Sequence, residues 1–223
     1  MIEYTLTRSN RKTVAIYVRV DGVEVRAPLR TPKRDIDKFV LSKEKWIINK
    51  QAKLAIQARE RKSFRLTYGS TVTYRGKPCL IVAISNERPD FKNGQFCIPS
   101  NLSPEEIKEA CIKIYHMLAK RDLTEMTSYF AERMGVKPAA IKINSAKSRW
   151  GSCSEKKSIN FSWLLIMADD DVIEYVVVHE LAHIIELNHS KRFWAIIEKI
   201  LPDYKTRRKR LKDLQTQLSK EDW

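Results

Sequence analysis

From Val14 to Val20 the chain alternates: Val14, Ile16, Val18 and Val20 fall on one side, Ala15, Tyr17 and Arg19 on the other. A period of two predicts a half-buried strand. Asp21-Gly22 follows, and glycine's tolerance of positive φ makes the pair a two-residue hairpin turn. That turn sets Val20 opposite Val23, Val18 opposite Val25 and Ile16 opposite Ala27, so the apolar faces coincide. Thr31-Pro32 opens a short helix, with proline at its first position. Trp46, Ile47, Leu54 and Ala58 lie near helical spacing and predict a second helix over residues 42–61. Residues 68–74 and 79–84 predict another hairpin across Arg75-Gly76-Lys77-Pro78, and residues 96–98 one more strand.

The pattern changes near residues 99–103. Ser103-Pro104-Glu105-Glu106 fits a capping box: serine as the cap, proline just inside, glutamate three residues on. A long helix is predicted from there to about Met134, stopped by Gly135. Short strands follow at 140–144 and 158–162. Asp169-Asp170-Asp171 then gathers carboxylates at a helix start, where the helix dipole favours them. The fold class predicted is α+β, with a β-rich basic region over residues 1–100 and a more helical region over residues 101–223.

Charge refines this division. The 223 residues include 42 Lys+Arg and 27 Asp+Glu, a net charge of +15, and 43% are apolar. That composition belongs to a globular chain with a real core and argues against disorder. Residues 1–100 carry 21 basic and 9 acidic side chains, residues 101–200 carry 14 of each, and residues 201–223 carry 7 and 4. The positive field therefore lies mainly in the N-terminal half. It either attracts phosphates, nucleic acid or acidic proteins, or serves as a solvated surface. The tightest basic run, residues 205–210 (KTRRKR), reads as an exposed helix face. Apolar runs fall far short of the ~20 residues that span a bilayer. The opening MIEYTLTRSNRK has no apolar signal-type stretch, so a cytoplasmic location without membrane contact is expected. Cys79, Cys97, Cys111 and Cys153 form no Cys-x-x-Cys pair, which disfavours a thiolate metal site and suggests buried, reduced thiols.

The chemistry concentrates in His179-Glu180-Leu181-Ala182-His183 and in His189. Histidines four apart on a helix project from one face, so two imidazoles can bind one ion. Glu180 sits beside the first ligand, free to work on a water. A catalytic zinc takes three protein ligands and keeps a position open. His189 is the natural third ligand, with Glu198 a weaker rival. Imidazole suits Zn2+, and also Ni2+ or Mn2+. With 4 His and 16 Glu in the chain, H-E-x-x-H arises by chance about once in 200 such chains. Asn188 tolerates left-handed geometry and suits the turn between His183 and His189, after which Ser190 can cap a further helix. Glu186 shares the histidine face: competing ligand, partner of an imidazole and plain solvent exposure all stay open.

In chain order, residues 148–154 (SRWGSCS), Ile159-Asn160-Phe161, Val172-Ile173, residues 176–183 (VVVHELAH), Asn188-His189-Ser190 and Phe193-Trp194 resemble the YgjP-like family of zinc metallopeptidases. A weaker likeness extends over nearly the whole chain. The resemblance implies a minimal zincin-like helical metallohydrolase domain, related in shape to SprT-type proteases, behind the β-rich region. It assigns metal ligation to His179, His183 and His189 and catalysis to Glu180, and it singles out Arg149 and Trp150. Metzincins carry glycine three residues after the second histidine, where this chain has Glu186, so the helix end is expected later, at Asn188.

Two other activities follow from the resemblance. Nucleotide pyrophosphatase activity is attributed within the family, so UTP is an alternative substrate to a polypeptide at the same metal site. SprT-type relatives join such a core to DNA binding, so a nucleic-acid-associated protease using the basic N-terminal half is another alternative. No zinc finger, helix-turn-helix or RNA-binding signature accompanies it. Arg149, with fixed planar donors, suits a developing oxyanion, a carboxylate or a phosphate, or else an ion pair with one of Asp169–Asp171 or Glu186. Trp150 and Trp163 read as core packing, His116 as structural, and Cys153 as packed beside Gly151 rather than nucleophilic.

Overall fold

The computed structural model describes residues 2–85 and 87–223. By packing, the chain divides between Phe64 and Arg65. One unit runs through Phe64 and takes in Leu218–Asp222; the other comprises Arg65–Gln217 and Trp223. The step in charge and pattern at residue 100 lies inside the second unit.

In the first unit β1 (Thr5–Ser9), β2 (Ala15–Val18) and β3 (Val23–Pro28) form a sheet of order β1-β3-β2. The β2–β3 register is Ile16 to Val25 and Val18 to Val23. This is two residues from the register that a two-residue turn would give. Residues 19–22 form a four-residue loop instead, closed by the Arg19 N–H donating to the Gly22 carbonyl at 2.9 Å. A slip of two preserves the alternation, so the same side chains still face inward. Val23, Val25 and Ala27 are buried with Ile36, Val40 and Ile47 of the following helices, whereas Val20 is 62% exposed in the loop. Those helices are α1 (Lys33–Ser42), where Pro32 takes the cap rather than the first helical position, and α2 (Glu44–Ser63). β1 pairs parallel with β3, a pairing that its one apolar residue, Leu6, did not announce.

In the second unit β4 (Thr71–Tyr74), β5 (Lys77–Ile84), β6 (Asp90–Lys92) and β7 (Gln95–Pro99) form a sheet of order β4-β5-β7-β6. The β4–β5 turn is two residues, Arg75-Gly76, with φ of 49° and 73°. Pro78, expected in the turn, pairs with Thr73 instead. The β6–β7 turn is Asn93-Gly94, with φ of 53° and 74°. Asn-Gly is the strongest local hairpin signal, and β6 was legible from it.

The 31-residue α3 (Pro104–Met134) starts at the capping box and stops at Gly135, which is left-handed at φ 64°. Tyr115 of α3 stacks on Trp163 at 5.3 Å, meets Phe96 at 4.8 Å and donates to the Thr73 carbonyl at 2.7 Å. Trp163 is thus core, and His116 sits beside it, 3.2 Å from the Ser145 hydroxyl.

β8 (Ala140–Asn144), β9 (Gly151–Cys153) and β10 (Ser158–Ser162) form a sheet of order β8-β10-β9. A short 3-10 helix, Trp163–Met167, leads from β10 toward α4 (Asp170–Ala182), followed by α5 (Lys191–Ile200) and α6 (Tyr204–Leu218). The Arg75-Gly76 turn docks on this junction: the Arg75 N–H donates to the Ile166 carbonyl at 2.8 Å, and Gly76 to Met167 at 3.3 Å. α4 is buried on nearly every side, from Val172 to Ala182, as expected of a helix without a polar face.

The four cysteines are unpaired; Cys79 and Cys111 are buried, while Cys97 and Cys153 are half-buried. Among the described residues no helix is long and apolar enough to cross a membrane. The basic run on α6 is only partly a solvent face. Arg207 is held by Glu174 at 2.6 Å and Asp203 at 2.9 Å, and Arg210 by Asp169 and Asp171.

Candidate metal centre

α4 ends earlier than its sequence suggests. Ala182 is its last residue and His183 caps it in right-handed geometry. The Ile184 N–H reaches the Leu181 carbonyl and the Ile185 N–H the Ala182 carbonyl, both at 3.0 Å. This tightened turn replaces the left-handed exit expected at Asn188, which is absent from the positive-φ residues. The chain then loops back, and Ser190 caps α5 by accepting the Phe193 N–H at 3.2 Å.

The loop brings His189 to the two helix histidines. One ligating atom from each of His179, His183 and His189 lies within 4.8 Å of the others. The Nε2 atoms of His179 and His189 are 3.1 Å apart. Two zinc–nitrogen bonds of about 2.1 Å at a tetrahedral angle set their nitrogens ~3.4 Å apart, so this donor set fits a small cation. Phe193 is fully buried, its ring centroid 4.9, 4.5 and 4.7 Å from those of His179, His183 and His189. The aromatic ring therefore holds all three imidazoles from one position. His189 is the exposed member.

Glu186 has a different part from those considered. Its backbone carbonyl, not its carboxylate, lies 3.3 Å from His183 Nδ1, an arrangement that leaves Nε2 free to face an ion. Its carboxylate is 4.0 Å from Arg192. Glu198 is exposed, 3.9 Å from Lys205, and lies outside the histidine cluster.

Burial lowers the His179 pKa to about 3, helped by the charges of His183, His189 and Arg208. The His183 pKa is also lowered, chiefly by burial. Both imidazoles are accordingly neutral at pH 7, the form that binds metal.

Glu180 is 5% exposed. Its Oε2 is buried without a hydrogen-bond partner among the described residues. Burial pushes its pKa up to about 8, while the charge of Arg149 works the other way. The carboxyl is thus a buried polar group without a partner among the described residues, lining the same cavity as His179. Gly151 makes room for it: a Cβ there would lie 2.6 Å from Glu180 Oε1 and 2.7 Å from Cγ. Burial and the charge of Glu180 both raise the Cys153 pKa, which suits packing rather than nucleophilic chemistry.

A cavity of about 400 Å³ opens beside His179 and Glu180. Arg149, Trp150 and Gly151 line it, with Tyr175 of α4 and a stripe of α6. Arg149 has no ion-pair partner among the described residues. The carboxylates considered for it are engaged elsewhere: Asp170 with Arg75 at 2.5 Å, Asp169 and Asp171 with Arg210, Glu186 nearest Arg192. Sequence reasoning does not reach Tyr175, Arg208 and Lys212, and it reaches Phe193 only within the Phe193-Trp194 block. Helical spacing puts residues 208, 211, 212 and 215 on one face of α6, but packing decides that this face lines the cavity.

The model of the YgjP-like family, described as a metallopeptidase domain, matches residues 12–214. The chain is similar to the metallopeptidase zymogen abylysin of Pyrococcus abyssi, at 21% identity and a TM-score of 0.38, over 40% of this chain and 90% of that one. It is also similar to the metallopeptidase zymogen jannalysin of Methanocaldococcus jannaschii, at 21% identity and a TM-score of 0.37, over 42% of this chain and 95% of that one. No curated protein matches.

Proposed function

The chain belongs to the YgjP-like family, matched by a metallopeptidase-domain model over residues 12–214, and from that premise we propose a zinc-dependent peptidase in which His179, His183 and His189 hold the ion. The observation that carries this is the convergence of three imidazoles beside a buried, unpartnered carboxyl. When bound, the cation supplies Lewis acidity, acidifying water and polarising a carbonyl. Glu180 takes the proton of the attacking water on a carboxylate oxygen and returns it to the departing amine nitrogen. Burial raises its affinity for a proton, and a cation held by the neighbouring imidazoles would favour the carboxylate form that accepts one. Arg149 faces the same cavity and stabilises negative charge developing on the carbonyl oxygen. Phe193 and the Glu186 carbonyl orient the rings.

Metal content of the purified protein, read by mass spectrometry, and hydrolysis of unfolded casein test this. Glu180→Gln keeps the metal and loses hydrolysis. A Glu180→Gln protein that retains metal and full activity refutes the role of the carboxyl.

A further inference from the structure

One wall of the cavity is not used by the hydrolytic chemistry. Arg208, Leu211, Lys212 and Gln215 line it, the i, i+3, i+4, i+7 stripe of one α6 face. Two neighbouring α6 cations are neutralised: Arg207 by Glu174 and Asp203, Arg210 by Asp169 and Asp171. Arg208 and Lys212 have no carboxylate partner among the described residues. The Arg208 guanidinium lies over the Trp194 ring at 5.1 Å. Trp194 in turn stacks on His189 at 5.7 Å and on Tyr204 at 5.5 Å. This stack holds Arg208 next to the histidines while leaving its N–H donors for another acceptor. Glu180 is the only carboxylate among the described lining residues, and the hydrolytic role claims it. Uncompensated positive charge in a cleft attracts an anion, and Leu211 beside it offers apolar surface for an aliphatic stem.

We propose that Arg208 and Lys212 form a carboxylate subsite, so that the enzyme selects peptides bearing a Glu or Asp side chain close to the cleaved bond. This specificity rests on the peptidase function proposed above.

The test uses the metal-loaded full chain and fluorogenic peptides carrying Glu, Gln or Lys at each position around the cleaved bond in turn. Binding of the same peptides to the Glu180→Gln protein, measured by fluorescence anisotropy, reads recognition without turnover. At one position Glu is preferred over Gln about tenfold in kcat/KM and in affinity, the effect of one charge-assisted hydrogen bond. Added salt shrinks the preference. Lys212→Glu reverses the order in favour of Lys. Lys209→Glu makes the same charge change on an exposed α6 position outside the cavity, and keeps the order. Equal handling of Glu and Gln peptides at every position overturns the subsite, as does a preference that Lys209→Glu abolishes equally well. Cleavage of those peptides would still leave the peptidase function standing. Selective binding of Glu peptides without any cleavage supports the subsite and refutes the peptidase function. Binding of UTP more tightly than any peptide, lost in Lys212→Glu, assigns the cations to a polyphosphate and overturns the carboxylate.

Discussion

Gly151→Ala isolates the placement of one carboxyl from everything else in the site. The φ of Gly151 lies outside the left-handed region, so an alanine there meets no backbone penalty and acts only through its added carbon. That carbon would stand 2.6, 2.7 and 2.8 Å from Oε1, Cγ and Cδ of Glu180. Ordinary contact begins near 3.5 Å, so the Glu180 side chain must retreat by roughly 0.8 Å. Glu180 is buried and lines the cavity beside His179, so the retreat displaces its carboxyl from the position it holds there. A misplacement of about 1 Å in a reacting group costs on the order of a hundredfold in rate. Overpacking of this kind also costs about 1–3 kcal/mol of stability. At this chain length each kcal/mol lowers Tm by about 2–4 °C. The assay is casein hydrolysis by zinc-loaded protein, alongside metal content and a thermal melt. Metal content should equal that of the parent, since the three imidazoles are untouched. Whatever residual hydrolysis Glu180→Gln retains should be the same with and without Gly151→Ala, because both changes act through the same carboxyl. Hydrolysis within a factor of about three of the parent, at full metal content, would refute the steric reasoning.

Zinc at about a hundred times its Kd should stabilise the fold by ~2.7 kcal/mol, seen as a Tm rise of about 5–10 °C, and His189→Ala should remove most of that rise. An unchanged rise in the variant would exclude His189 as a ligand. Gly76→Ala places a Cβ 1.8 Å from Asp169 Oδ1 at a φ of +73°. Urea denaturation should show a loss of about 2–4 kcal/mol, because strained φ and steric overlap add. Glu106 accepts the Ser103 backbone N–H at 2.8 Å, and that bond lowers its pKa below the ordinary 4.5. Its stabilisation is therefore complete above pH 4.5 and is lost as pH falls through the lower folded value. Glu106→Gln should melt below the parent at pH 7, with the gap closing at acid pH; a gap independent of pH would assign the effect to something other than the carboxylate.

Much of this protein is written locally. The Ser103–Glu106 box, the Gly135 stop and the Ser190 cap each involve a few consecutive residues whose hydrogen bonds close within one turn, so the local sequence dictates them. The alternation from Val14 to Val18 fixed which face of β2 is apolar, and a two-residue slip in register left that face unchanged. The spacing of His179 and His183 by itself puts both imidazoles on one side of a helix. Other features depend on surfaces far apart in the chain. The parallel pairings of β1 with β3, β5 with β7 and β8 with β10 leave no turn signature. Only packing shows that α4 stops at Ala182, that a backbone carbonyl rather than the Glu186 carboxylate approaches His183, and that Gly151 gives the Glu180 carboxyl its space. The sequence also lists cations and carboxylates without saying which will meet. Asp169, Asp170 and Asp171 were open partners for Arg149; folding gave them to Arg75 and Arg210, leaving Arg149 to face the cavity. An ion pair is decided by distances that the whole fold sets, whereas a cap or a strand face is decided by its immediate neighbours.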